Sequence, residues 1–144
     1  MALEMRGDAG RKLAFQLLLY PATAMTLDTP SRRALATGYV LTAEVMEWFG
    51  NHYGAGAHPQ AKRAEPVNAT DLTGLPPALV VTAGFDPLKD EGKAYAEALN
   101  KAGGTARHIE YPTFVHDFYT LSAICPGVVP AIEETAAALK AALG

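Results

Sequence analysis

The sequence predicts an α/β fold in which helices cover a small parallel β-sheet. Two nearly continuous apolar runs have the length of strands, LAFQLLLY at residues 13–20 and ALVVTA at 78–83. Such runs are typical of strands that are buried on both faces of a parallel sheet. A shorter and more polar strand candidate at 105–111 follows an amphipathic helix. The resulting strand, helix, strand unit crosses over right-handed and makes a parallel pair, so about three parallel strands are expected.

The first half of the chain predicts one strand and one helix. The string at 13–20 could also form a buried helix, but its shortness, the following Pro21 and the matching run later in the chain favour a strand. Residues 22–37 are rich in Thr, Pro, Ser and Arg and form a long connection. Thr42 then stands where an N-cap is expected, before a helix over 43–53 with apolar side chains at helical spacing.

The second half predicts a loop, a strand, a helix, a strand and a closing helix. Residues 57–77 are rich in Pro, Gly, Asn and Asp, which predicts a long surface excursion rather than a domain boundary. A helix is expected over 90–102, with Asp90 as its cap and Gly103 as its C-terminal glycine. Pro112 is expected to end the third strand. An apolar stripe then marks the closing helix: Ile132, Ala136, Leu139 and Leu143.

Composition limits the function classes that fit the chain. Its 144 residues are 49% hydrophobic and 19% charged, as expected for one globular domain that buries about two-thirds of its unfolded surface. The formal net charge of -3 argues against a nucleic-acid or anionic-membrane surface. A single cysteine, Cys125, excludes an intramolecular disulfide. No signal peptide and no transmembrane segment is predicted, which makes the cytoplasm the expected location.

Two residues that could act in acid–base catalysis follow neighbouring strand candidates. Asp86 lies three residues after the second candidate and His116 lies five residues after the third. Reactive groups of parallel sheets collect beyond the carboxyl ends of the strands. An Asp that orients a His is the supporting half of a nucleophilic triad, in which the imidazole takes a proton from a hydroxyl or thiol. Taken singly, each residue is more often a turn or packing residue, but their joint placement favours the catalytic interpretation.

These residues belong to longer strings that resemble a known family. LPPALVVTAGFDPLKDEG at 75–92, then AYAEAL and EYPTFVHDF, are similar to the C-terminal portion of the hormone-sensitive-lipase-like bacterial esterases of the α/β-hydrolase fold. LAFQLLLYP at 13–21 resembles the sixth strand of that family, and ATGYVLTAEVMEWF at 36–49 resembles the later part of its helical cap. The resemblance implies that Asp86 is the triad acid and His116 the base. Asp117 stands where the family usually has Gly.

The resemblance also implies a truncated hydrolase. The family carries its serine in a G-x-S-x-G elbow and its oxyanion donors in an HGGG-type loop, both before the sixth strand. Neither motif occurs in this sequence, and Ser31 and Ser122 lack the flanking glycines. The string at 7–10, GDAG, is interpreted as the loop that leaves a helix whose last turn is residues 2–5. Residues 1–144 are therefore predicted to form a single truncated domain, with a cap-like segment at about 22–56.

Other candidate site residues give weaker signals. Cys125, which precedes Pro126, is expected to be a packed thiol rather than a replacement nucleophile. His52, His58 and His108 lack metal-ligand spacing, so no metal and no cofactor is predicted.

The aromatic side chains have two possible roles. Tyr95, Phe114, Phe118 and Tyr119 could line an acyl pocket, although core packing is expected for most of them. Phe114 and Phe118, which flank His116, are the best candidates for a substrate pocket.

Two functions remain open from the sequence. One is an esterase portion that acts on small or medium acyl esters only when a nucleophile-bearing half is supplied. The other is a non-catalytic α/β-hydrolase remnant that associates with itself. In either case the apolar edge of the strand at 13–20 would be exposed, which predicts a homodimer, or a complex with another polypeptide, that covers it.

Overall fold

A computed structural model describes residues 2–7, 12–53 and 64–144 of the chain. These residues form a three-stranded parallel sheet in the order β1-β2-β3, with β1 at Gln16–Leu19, β2 at Ala78–Phe85 and β3 at Ala106–Val115. The helices are α1 (Ala2–Met5), α2 (Pro30–Ala34), α3 (Ala43–Tyr53), α4 (Lys89–Lys101) and α5 (Val129–Leu143). Short 3-10 helices occur at Pro66–Asn68, Phe118–Ala123 and Pro126–Val128. The predicted three-stranded α/β fragment is therefore confirmed.

The sheet is packed on both faces. β2 is the central strand, and its residues from Ala78 to Ala83 are all buried. Because successive side chains of a strand point to opposite faces, Leu79, Val81 and Ala83 join one core cluster and Ala78 joins another. The first cluster contains Ala131 of α5, and the second contains Tyr95 and Leu99 of α4. The continuous apolar run of β2 thus has the two-sided burial that its sequence predicts.

The strand at the beginning of the sheet is shorter than predicted. β1 covers Gln16–Leu19 rather than residues 13–20. Tyr20 still donates its backbone N–H to the Val81 carbonyl at 2.6 Å, but its φ of 38° lies outside the range of extended backbone. The chain therefore leaves the strand at Tyr20, one residue before Pro21.

The prediction that Pro112 ends the third strand is wrong. β3 continues through Pro112 to Val115, and β2 likewise continues past Ala83 to Phe85. Proline is tolerated because β3 is an edge strand among the described residues and the pairing is irregular between Ala83 and Phe85. At this irregularity the backbone of Gly84 passes against Pro112, where a Cβ would lie 2.1 Å from the proline carbonyl oxygen. The two strands then pair again at Phe85 and Val115.

The ends of the helices agree with the sequence in two places and differ in one. Thr42 precedes α3 and its Oγ1 accepts a hydrogen bond from Val45 N at 3.3 Å, as expected of an N-cap. Gly103, with a φ of 83°, follows α4. Asp90 does not cap α4, because the helix begins at Lys89 and the Asp90 carboxylate instead accepts from Ser31 N at 2.8 Å. Asp90 thereby joins α2 to α4.

Two predicted features are only partly covered by the described residues. The helical turn at Ala2–Met5 is present, whereas most of the GDAG string lies outside the described residues. The predicted cap-like segment is described up to Tyr53 and contains α2 and α3. Its extent as a cap remains a prediction. In the described part of the chain, no helix is long and apolar enough to cross a membrane.

Candidate active site

The structure brings Asp86 and His116 together at the carboxyl edge of the sheet. Because β2 and β3 are longer than predicted, each residue directly follows its strand, and the preceding residues Phe85 and Val115 are register partners. His116 Nδ1 lies 2.8 Å from Asp86 Oδ2. The sequence placed these side chains on one sheet edge, and the continued pairing of β2 and β3 brings them into hydrogen-bond contact.

The surroundings of Asp86 fix its side chain. Asp86 is completely buried, and its Oδ1 accepts a hydrogen bond from Leu88 N at 2.8 Å. With one carboxylate oxygen held by the backbone, the other points to the imidazole. A carboxylate accepts hydrogen bonds, so the tautomer of His116 that this contact favours carries its proton on Nδ1 and donates a hydrogen bond to Asp86 Oδ2. Nε2 is then the ring nitrogen that can accept a proton from a nucleophile.

His116 borders a cleft that is lined in part by the segment between β1 and β2. The cleft has a volume of about 660 Å³, and His116 retains 20% of its side-chain exposure. Part of the lining is apolar: Met25, Leu41, Met46, Phe49 and Leu88. Several of these side chains belong to the segment between β1 and β2 that resembles a cap. An apolar wall beside a base that is partly open to solvent is suited to a substrate with a hydrophobic portion.

Tyr20 is a site neighbour that the sequence reasoning missed. Its ring centroid lies 4.9 Å from that of His116, and its hydroxyl donates a hydrogen bond to Asp117 Oδ1 at 3.0 Å. Burial, followed by the hydrogen bond to Asp117 and the charge of that carboxylate, raises the pKa of Tyr20 well above its ordinary value. The hydroxyl therefore remains a proton donor throughout the neutral range. The only sequence feature that marks the position of Tyr20 is the Tyr-Pro pair at the end of the apolar run at 13–20.

A buried ion pair anchors the segment that follows β1. Glu91 of α4 is completely buried, and its Oε1 accepts from the backbone N–H groups of Thr23 and Ala24 at 2.7 and 3.0 Å. Its Oε2 contacts the Arg32 guanidinium at 2.7 Å. Burial raises the pKa of Glu91, and the two N–H groups and Arg32 oppose that shift.

The two phenylalanines that flank His116 have the contacts of core residues. Phe118 is completely buried in the cluster with Leu79 and Val81, and Phe114 stacks on it with ring centroids 4.8 Å apart. Neither ring lines the cleft beside His116. A role for Phe114 and Phe118 in a substrate pocket remains a prediction without support from these contacts.

The remaining candidates do not join the pair. In the described residues, no hydrogen bond links Ser31, Ser122 or Cys125 to His116, and the Ser31 hydroxyl donates instead to the Pro87 carbonyl. His52 stacks on Trp48, and His108 Nε2 lies 2.8 Å from Thr82 Oγ1. His58 lies outside the described residues. Among the residues that are described, no three His, Cys, Asp or Glu side chains are grouped as metal ligands.

The parallel sheet, with an Asp-His pair directly beyond two adjacent strands, defines a class of protein with the α/β-hydrolase architecture. A model of the alpha/beta hydrolase fold family matches residues 1–120, and the chain belongs to that family. It is 38% identical to the carboxylic ester hydrolase LipN and 37% identical to the carboxylesterase NlhH, both of Mycobacterium tuberculosis. These alignments cover 96% and 99% of the chain.

Solved structures give the same relationship. The ester hydrolase EH1AB1 from the metagenome of Lake Arreo is 41% identical and superimposes with a TM-score of 0.86 over 99% of the chain. The thermostable carboxylesterase EstE1, cloned from a metagenomic library, is 31% identical with a TM-score of 0.88. The chain spans 37% of LipN, 46% of NlhH and 50% of EstE1, and it matches the C-terminal part of full-length esterases.

Proposed function

We propose that the chain is the portion of a carboxylic ester hydrolase that supplies the triad acid, Asp86, and the triad base, His116. The observation that carries the proposal is the 2.8 Å contact between His116 Nδ1 and the buried Asp86 carboxylate, next to an open apolar cleft. The carboxylic ester hydrolase LipN and the carboxylesterase NlhH, with which the chain aligns over almost its whole length, support the assignment of the reaction.

The proposed reaction requires a nucleophile from outside these 144 residues, because they contain no G-x-S-x-G string. Nε2 of His116 takes the proton of a serine hydroxyl as the serine oxygen attacks the ester carbonyl. The resulting imidazolium gives that proton to the leaving alcohol, and an acyl-enzyme remains. His116 then deprotonates a water molecule that releases the acid and regenerates the serine. Asp86 stabilises the imidazolium in both steps.

The test is to supply the missing half. A chimera joins the N-terminal part of NlhH, up to the start of the aligned region, to this chain, and its hydrolysis of p-nitrophenyl butyrate is measured beside that of the chain alone. The chain alone is expected to give background rates, because both nucleophile and oxyanion donors are missing from it. The chimera is expected to turn over the ester.

Two variants assign the roles. His116→Ala and Asp86→Asn in the chimera are each expected to lower kcat by about 10³-fold or more. His108→Ala is the matched control, since His108 lies on β3 but contacts Thr82 rather than Asp86. A chimera in which His116→Ala and His108→Ala have the same activity would refute the assignment of His116.

The alternative function is a non-catalytic domain that associates with itself through β1. Among the described residues β1 pairs with β2 on one side only, and Gln16 and Tyr20 direct their N–H groups to that side. By the alternation of a strand, Leu17 and Leu19 direct theirs to the free edge. We propose that a second copy of this chain pairs with that edge in the isolated form, in a symmetric antiparallel arrangement.

Light scattering of the isolated chain tests the pairing. A dimer is expected at micromolar concentration, and Leu17→Pro, which removes one outward N–H without removing a bond to β2, is expected to shift it to a monomer. Ala14→Pro, just before the strand, is the control. A wild-type chain that is monomeric under these conditions would exclude the pairing.

A further inference from the structure

The turn that carries His116 is joined to the end of β1 by one side-chain hydrogen bond. Tyr20, the residue after β1, donates its hydroxyl to Asp117 Oδ1 at 3.0 Å across a separation of 97 residues. The ring of the same tyrosine lies 4.9 Å from the His116 ring. One side chain therefore contacts both the imidazole and the residue that follows it.

The backbone at both ends of this hydrogen bond is unusual. Tyr20 has a φ of 38° and Asp117 a φ of 61°, and within the described residues they are the only ones other than glycine with a positive φ. A positive φ is costly for residues with a Cβ and persists where the surroundings impose it. Strained positions cluster at functional sites. The two residues with a positive φ are therefore also the two partners of this hydrogen bond.

Asp117 is suited to its conformation and is held through both its side chain and its backbone carbonyl. Aspartate enters the left-handed region more readily than most residues with a side chain. Its backbone carbonyl accepts from Thr120 N at 3.1 Å and from Thr120 Oγ1 at 2.8 Å, and the same hydroxyl lies 3.2 Å from Asp117 Oδ2. Asp117 thus connects the 3-10 helix at Phe118–Ala123, through its backbone carbonyl, to Tyr20, through its side chain, and His116 directly precedes Asp117.

We propose that the hydrogen bond between Tyr20 and Asp117 is a positioning device that keeps the His116 imidazole on Asp86. The proposal deepens the proposed function and rests on it for its catalytic meaning. Tyr20 and Asp117 act through His116 and take no part in bond breaking. Without this hydrogen bond, no side-chain contact from Asp117 holds the turn after β3 against Tyr20. The His116 imidazole then samples orientations in which Nδ1 faces water.

The readout is the solvent exchange of the His116 Nδ1 proton, followed by NMR in the isolated chain. Tyr20→Phe keeps the ring and removes the hydroxyl, and Asp117→Gly removes the carboxylate while relieving the strained φ. Each is expected to speed exchange about tenfold, the typical effect of losing a hydrogen bond to a charged acceptor. Asp117→Asn retains an acceptor oxygen and the left-handed preference, so its exchange is expected to stay close to that of the wild type.

Tyr119→Phe is the matched control. Tyr119 belongs to the same ring cluster, with its centroid 6.0 Å from that of Tyr20, but its hydroxyl donates to the Ala131 carbonyl on α5. Equal exchange in Tyr20→Phe and Tyr119→Phe would overturn the proposal, as would wild-type exchange in Asp117→Gly. A wild-type Nδ1 proton that exchanges too fast to observe would overturn it as well.

The chimera described above separates this proposal from the proposed function. In an active chimera, Tyr20→Phe is expected to lower kcat several-fold with KM unchanged, because a misplaced base affects the chemical step and not substrate binding. An inactive chimera together with the expected exchange rates would reject the function and retain the positioning role. An active chimera that Tyr20→Phe leaves unaffected would reject the positioning role and retain the function.

Discussion

The acid and the base of the proposed site are held in different ways. Asp86 is completely buried in the turn between β2 and α4 and is fixed by the backbone N–H of Leu88, two residues away. His116 is partly exposed and depends on contacts from Asp86 and Tyr20, 30 and 96 positions distant in the chain. The position of Asp86, the acid end of the site, is thus determined locally. The position of His116, the base end, is determined by the packing of three strands against one another.

The difference suggests where the site is rigid and where it can be adjusted. Groups held by nearby backbone keep their place as long as their own turn is folded. Groups held by distant side chains respond to changes in those partners. Changes around Asp86 should therefore act on the stability of the whole domain. Changes where the ends of β2 and β3 meet should act on the alignment of Asp86 with His116.

Removing the buried carboxylate of Glu91, on the helix that follows Asp86, should give the largest effect. Glu91→Ala leaves two backbone N–H groups unpaired and the Arg32 guanidinium without its partner. The expected loss in the free energy of unfolding is about 3 kcal/mol, because the charge of Arg32 is left without its buried partner. Urea unfolding of the isolated chain measures it.

Glu97→Ala is the control for that experiment. Glu97 lies on the same helix in an exposed i, i+4 pair with Lys93, and such pairs contribute little to stability. A loss for Glu91→Ala as small as that for Glu97→Ala would contradict the anchoring role.

Forcing apart the carboxyl ends of β2 and β3 should have an intermediate effect on the free energy of unfolding. A Cβ at residue 84 would lie 2.1 Å from the Pro112 carbonyl oxygen, and backbone on both strands must move to admit it. Gly84→Ala is expected to cost about 1–3 kcal/mol. It should also lengthen the contact between Asp86 and His116, seen as faster exchange of the Nδ1 proton of His116.

Gly50→Ala is the matched control for this substitution. Gly50 lies in α3 with open space where its Cβ would be, so the change should be neutral or stabilising. A Gly84→Ala chain as stable as Gly50→Ala would show that the close approach is not required.

The sequence could predict the acid end in more detail than the base end. ALVVTA followed by Gly, Phe, Asp and Pro indicates a buried strand and a turn that carries Asp86 from neighbouring residues alone, although the strand continues two residues further, to Phe85. The third strand was predicted to end at Pro112, because a proline in a strand gives no local sign that an irregular register will accommodate it. The contact of Tyr20 with Asp117 was not predictable, since no periodicity links residues 97 positions apart.

The smallest expected effect is on the pH dependence of stability, and it arises from His108, which connects β3 to β2. His108 is half-buried and its Nε2 contacts Thr82 Oγ1 on the neighbouring strand. Burial lowers the pKa of His108 below its ordinary 6.5. The unfolded chain therefore binds a proton at a higher pH than the folded chain does. The free energy of unfolding should then fall as the pH drops below 6.5 toward the lower pKa of the folded state.

His108→Gln should remove this component of the pH dependence while an amide remains to contact Thr82. The measurement is urea unfolding at a series of pH values on both sides of the unfolded pKa of histidine, with His52→Gln as the control for an exposed histidine on α3. The slope with pH should be smaller in His108→Gln than in the wild type or the control. If all three slopes agree, the partial burial of His108 beside Thr82 does not affect its titration.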